Sequence, residues 1–250
     1  MFDTSLINVH LEPRPKFSLL FRLGAIAAAT TVVVTIIQVV LGVLWPPPDF
    51  APTATATTAI LEMALTSPLL TFLRLDGLMV LDYVLLVVVF LSLLAALHGA
   101  NPSLALLGTT VAMIAITLYF TTNPAVTMLA LARHYGASGA NAQNAGLIAA
   151  GQAALLGFQG TAFLLHYVMM GIAGMIVSLA MFSSAEFSRT AATAGVVQGA
   201  MMLVPVTLGT VGLVFAVGSL IPFTVWFVLI ARTLWRLSAR PDAYARRACT

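Results

Sequence analysis

Long apolar runs alternate with short polar breaks along the chain. The runs at 23–45, 77–97, 103–121, 161–182, 191–209 and 213–237 each approach or exceed the roughly 20 residues an α-helix needs to cross a bilayer. This pattern predicts an all-α, polytopic membrane protein, a bundle of six transmembrane helices. The first run is longer than the roughly 7–15 apolar residues of a cleaved signal peptide, so it reads as a span. Trp45 with Pro46, Pro47 and Pro48 ends that span at an interface, because proline cannot continue a helix and tryptophan favours the headgroup level. Gly99, Asn101 and Pro102 supply a turn between the second and third spans. Pro205 and Pro222 are expected to kink the fifth and sixth.

Two stretches lie between spans without reading as spans. Residues 57–71 include the weakly amphipathic AILEMALTS, broken at Pro68. Residues 142–158 are alanine-rich but carry Gln143, Asn144 and Gln152, with Gln159 just beyond. Both are expected as short helical segments on the outer side, at the surface or re-entrant.

Composition agrees with a single transmembrane domain over 1–250. The chain is 60% hydrophobic and 8% charged, against roughly 25% charged residues in ordinary soluble domains, and its mean hydropathy is +1.04. The net charge of +3 does not imply nucleic acid, because most basic residues lie beside span ends, where they set topology and meet lipid headgroups. With six spans and both termini cytoplasmic, Arg14, Lys16, Arg22, Arg189, Arg232, Arg236, Arg240, Arg246 and Arg247 fall on the inner side. Arg74 and Arg133 fall outside. The single cysteine, Cys249, excludes an internal disulfide and a cysteine-based metal cluster.

Three passages carry a family resemblance: Arg22-Leu23-Gly24 at the entry to the first span, FSSAEFSRTAATAGVVQGA over 182–200, and IPFTVWFVLIARTLWRL over 221–237. Together they resemble a bacterial six-helix integral membrane family catalogued as a domain of unknown function. The resemblance implies the six-helix topology and a bacterial inner (cytoplasmic) membrane location. It implies no catalytic or binding residues.

Asp82 is the strongest chemical signal, since a carboxylate inside a span needs a partner or water. It lies about 8 Å below the start of its helix at 1.5 Å per residue. His166 and Tyr167 reach a similar depth in the fourth span, and Tyr83, Gln38 and Tyr119 belong to the same outer third. These six are the candidate ligand-binding residues of an outward-facing polar pocket. An Asp82–His166 contact would raise the histidine pKa and make a proton or cation site. The alternative is a structural hydrogen bond between spans. Haem is not expected, because His98 and His166 lie at opposite ends of the bundle, and no metal site or other cofactor is predicted. Gly195 with Gly199, and Gly174 with Ser178, give small-residue faces suited to helix packing, and Gln198 is a candidate for a hydrogen bond across the bundle.

The sequence contains no phosphate-binding loop, HExxH, GxSxG or cysteine pair. The first expectation is therefore a non-enzymatic accessory or assembly subunit that meets the lipid bilayer and other membrane subunits. The alternative is a small-molecule or ion binder, sensor or carrier working through Asp82 and His166.

Overall fold

The computed structural model describes residues 17–45, 48–137, 143–205 and 208–239. Among them every regular element is an α-helix. In chain order these are α1 (Ser18–Leu44), α2 (Ala54–Thr66), α3 (Pro68–Arg74), α4 (Gly77–Leu97), α5 (Pro102–Thr122), α6 (Ala125–Ala137), α7 (Gln143–Gln159), α8 (Thr161–Phe182), α9 (Arg189–Met201) and α10 (Gly209–Ser238). Local chemistry sets several starts. Thr53, Asn101 and Ser188 cap α2, α5 and α9 by accepting from the backbone N–H of Ala56, Leu104 and Ala191, satisfying donors that the first turn leaves open. Pro68 and Pro102 occupy first-turn positions, where no N–H is needed.

Five helical stretches are long and apolar enough to cross a membrane: α1, α4, α5 running into α6, α7 running into α8, and α10. The chain is a multi-pass membrane protein. The stretch expected as a span over 191–209 takes another form. It holds α9, of 13 residues, which covers about 20 Å at 1.5 Å per residue, short of the roughly 30 Å hydrocarbon core. Pro205 accounts for the stop, since it lacks an N–H and disfavours helical backbone in Val204 before it. The N–H groups of Leu203 and Val204 turn back to the carbonyls of Ala200 and Met201, and α10 begins at Gly209 with φ +62. Pro205 therefore ends a helix rather than kinking one, while Pro222 lies inside α10.

The described residues form two hydrophobic cores. The larger joins α1, α4, α5, α8, α9 and α10 around Phe90, Leu93, Met181, Phe227 and Ile230. There α5 packs on α8, α1 on both α4 and α10, and α9 on α8 and α10. The smaller core gathers Ile60, Leu61, Leu75, Met128 and Leu155 from α2, the α3–α4 link, α6 and α7. It caps one end of the bundle. The 57–71 and 142–158 stretches lie in this cap, with residue 142 outside the described residues. α6 forms between the third and fourth apolar runs, where the hydropathy pattern predicts no span. The polar α7 residues hold the cap down: Gln152 Nε2 donates to the carbonyl of Pro52 at 3.1 Å, and Gln159 Nε2 to that of Phe50 at 2.7 Å.

Contacts fix which ends lie together. Ser18 and Ala239 line one recess, so the start of α1 and the end of α10 share the end of the bundle opposite the cap. Gln38 of α1, Asp76 before α4 and Tyr119 of α5 meet at the capped end.

Candidate functional site

The polar centre of the capped end is Asp76, one residue before the α4 span. Its carboxylate accepts from Gln38 Nε2 at 3.1 Å and from the Tyr119 hydroxyl at 2.9 Å. Its main-chain carbonyl lies 3.2 Å from both the Tyr119 hydroxyl and Asn123 Nδ2. Asn123 also donates to the Tyr119 hydroxyl at 2.9 Å, and its own Oδ1 accepts from the Ala125 N–H at the start of α6. One aspartate thus ties α1, α4 and α5 to the cap. Asp76 has φ 64 and is the one described non-glycine residue at positive φ, a conformation a short polar side chain tolerates better than most. Burial pushes its carboxyl up from 3.8 to about 6, and the Tyr119 hydrogen bond opposes that rise.

Deeper in the bundle, α1 presents a polar stripe. Thr31, Thr35 and Gln38 are spaced i, i+4, i+7, which places them on one helical face. Gln38 meets Asp76 at the top, while Thr31 approaches Asp82 without closing full hydrogen-bond geometry. Asp82 is 1% exposed. No basic side chain pairs with it among the described residues, and its Oδ1 has no hydrogen-bond partner there. The same holds for Thr31 Oγ1, Thr35 Oγ1 and Gln38 Oε1. Four buried oxygens along this polar stripe and Asp82, one of them from a carboxylate, therefore close no full hydrogen bond among the described residues, which is uncommon for buried polar atoms.

An aromatic series runs beside this seam from the cap inward. Phe50 tilts against Phe158 at 5.3 Å between centroids, Phe158 meets Phe163 edge-on at 4.7 Å, Phe163 meets His166 edge-on at 4.6 Å, and His166 tilts against Tyr119 at 5.2 Å. Tyr119 lies parallel to Tyr83 at 3.9 Å. His166 is 2% exposed, and its Nδ1 has no hydrogen-bond partner among the described residues.

The equal-depth argument thus placed Gln38, Tyr83, Tyr119 and His166 in one neighbourhood, and their side chains do meet directly or through Asp76. The specific Asp82–His166 contact is not formed. Asp82 faces α1, whereas His166 is enclosed by Phe163, Tyr83 and Tyr119. Being buried, the pair does not line an open outward pocket. The physical reason is angular: α4 packs chiefly on α1 and α5, and α8 on α5 and α9, so the two helices scarcely touch. Tyr167 stands near Tyr83 with its hydroxyl buried and unpartnered among the described residues.

Sequence reasoning missed Asp76 as the hub and missed Thr31, Thr35 and Asn123. The threonine stripe was detectable from its helical spacing. The role of Asp76 was not, because it depends on a left-handed backbone that turns the carboxylate toward two other helices.

The small-residue positions lie between α8, α9 and α10. A Cβ on Gly199 would overlap the Gly171 carbonyl and Met175, and one on Gly195 would overlap Ser178 and the Trp226 indole; one on Gly174 would stand 3.3 Å from Gln198 Oε1. Among the described residues Gln198 makes no hydrogen bond across the bundle. Its Nε2 donates to Met202 Sδ at 2.6 Å on the same strand of chain, and its Oε1 has no partner among the described residues.

Among the described residues no three His, Cys, Asp or Glu side chains gather as metal ligands. The α1–α4 oxygens are a different kind of set, one carboxylate with hydroxyl and amide oxygens. Hard oxygens of this kind suit a proton or a small hard cation, and a single negative charge matches a single positive one. The fold and this seam define a multi-pass helical membrane protein with a buried, acidic oxygen cluster. Comparison with protein-family models, curated proteins and solved structures finds no match.

Proposed function

We propose that the protein binds a proton or a monovalent cation at the α1–α4 seam, with Asp82 as the charged ligand and Thr31, Thr35 and Gln38 as neutral oxygen ligands, and that it acts as a carrier or sensor rather than an enzyme. One observation carries this reading: Asp82 is buried inside a span without a basic partner among the described residues. Such a carboxylate must be protonated or neutralised by a cation, since leaving an isolated charge in a low-dielectric interior is far more costly. Asp76 and Tyr119 form the outer boundary of the seam.

The test uses the full chain purified in neutral detergent, its thermal unfolding followed while Li⁺, Na⁺, K⁺ and pH are varied separately. The expected result is stabilisation by one of the alkali cations or by protons that Asp82→Asn abolishes while leaving the fold intact. A folded Asp82→Asn protein with an unchanged response to every cation and to pH overturns the reading.

In this reading the chain crosses six times. α9 starts beside the end of α10 and packs along α8 and α10, so the chain from Arg189 to the start of α10 makes the fifth crossing. This supports placing both termini on one side. That side carries Arg22, Arg189, Arg232 and Arg236, against Arg74 and Arg133 at the cap, which favours a cytoplasmic location for the termini in a bacterial inner membrane. An accessory or assembly role, expected from the absence of catalytic motifs and from the small-residue faces, stands second, because those faces are used within the chain. Native mass spectrometry after gentle extraction separates the readings, since stable co-purifying subunits would favour the accessory role.

A further inference from the structure

At the end of the bundle opposite the cap, a groove of about 690 Å³ opens between α1 and α10 below the start of α9. Its walls are apolar at depth, with Ile26 and Ala29 of α1 facing Leu229 of α10, and its mouth carries Arg232 and Arg236. Trp235 is shared with an adjoining recess of about 410 Å³ whose rim carries Arg22. The Arg22 guanidinium lies 5.8 Å from the Trp235 ring centroid, within reach of a cation–π contact. Trp235, 51% exposed, therefore stands between Arg22 in the recess and Arg232 and Arg236 in the groove.

The charges there are not consumed by the described protein. Arg22 and Arg232 make no hydrogen bond among the described residues, and Arg236 makes only long ones, 3.4 Å to the Glu186 carbonyl and 3.3 Å to Thr233 Oγ1. Among the described residues at this end, Arg22, Arg189, Arg232 and Arg236 face a single acidic residue, Glu186. The groove also opens sideways onto the lipid-facing surface, where Leu23 and Ile26 are exposed.

We propose that this groove binds an anionic phospholipid. The phosphate is held among Arg22, Arg232 and Arg236 beside Trp235, and the upper part of an acyl chain lies along Ile26, Ala29 and Leu229. Arginine presents a planar fork of donors that matches phosphate oxygens, and an interfacial tryptophan sits at headgroup depth. The positive end of the α9 dipole, whose Ser188 lines the groove, adds to the attraction. The volume falls within the range of small-molecule sites; it fits a headgroup with the start of a chain, the remainder lying in the bilayer. A free phosphate would leave the apolar wall unused, and a zwitterionic headgroup would bring its own cation toward three arginines. The proposal does not depend on the α1–α4 seam, whose residues run from Thr31 toward the capped end and do not line the groove.

The test measures lipid retention by native mass spectrometry and thermal protection of the full chain in neutral detergent, with phosphatidylglycerol, phosphatidylcholine or inorganic phosphate added. Phosphatidylglycerol is expected to be retained and to raise the unfolding temperature, while phosphatidylcholine and inorganic phosphate do neither. Arg22→Gln and Arg232→Gln should each weaken the phosphatidylglycerol effect about fivefold, the share of one juxtamembrane basic residue. Arg133→Gln, on α6 in the cap, should leave it unchanged. Equal protection by phosphatidylcholine, reproduction by inorganic phosphate alone, or an undiminished response in both arginine variants would each overturn the proposal. Retention is read on the folded fraction, so a loss of stability in one variant does not mask the result.

Discussion

Replacing Asp76 by asparagine isolates the most connected side chain at the capped end. Asparagine keeps the shape and one carbonyl acceptor, and it tolerates the left-handed backbone, but it does not titrate. The Asp76 carboxyl stands at about 6 in the fold against an ordinary 3.8, a difference of about 3 kcal/mol between its protonation states. Because the folded chain holds this proton more tightly than the unfolded chain, the associated stability is fully present below pH 3.8 and is lost as pH rises through about 6. Between pH 5 and pH 8 the loss comes to about 1.4 kcal/mol, or about 3–6 °C in unfolding temperature for a chain of this size. The assay is thermal unfolding of the full chain in neutral detergent, followed by tryptophan fluorescence at both pH values. Asp82, Tyr83 and Tyr119 lie nearby, so the informative quantity is the difference between the two proteins. Wild type should melt several degrees higher at pH 5 relative to pH 8 than the variant does. Equal pH slopes in wild type and Asp76→Asn would refute the reasoning.

Three further substitutions test other parts of the structure. Tyr119→Phe removes the 2.9 Å hydrogen bond to the Asp76 carboxylate and should cost about 1.5–3 kcal/mol above pH 7; by removing a bond that favours the charged form it should also move the pH midpoint of stability upward, and an unchanged midpoint counts against the hub. Gly199→Ala places a Cβ against the Gly171 carbonyl and Met175, whereas the same change at Gly42 meets nothing within 4 Å. The first should cost about 1–3 kcal/mol and the second almost nothing, so equal melting temperatures would contradict the α8–α9 packing. Asp82→Asn should abolish the cation or proton response of the folded chain in a ligand titration.

The sequence by itself determined the class of protein. Continuous apolar runs around 23–45, 77–97 and 213–237 leave a chain little alternative to spanning helices, because backbone groups in lipid must bond within their own segment. The same one-dimensional logic grouped Gln38, Tyr83, Tyr119 and His166, since depth along a helix follows from counting residues. It did not foresee the form taken over 191–209, where hydropathy resembles one continuous span but the regular helix is α9, of 13 residues, ending ahead of Pro205. It also missed α6, which buries Met128 and Ala132 in the smaller core with residues of α2 and α7. Rotation about each helix axis, and the contacts it selects, were decided by tertiary structure alone. Asp82 turns toward α1 and its threonines while His166 turns into an aromatic cluster, so two residues at equal depth do not meet. Residue counting fixes height within a bundle to within a turn. It does not fix which neighbour a side chain faces, because that depends on how six helices interlock around small residues such as Gly195 and Gly199.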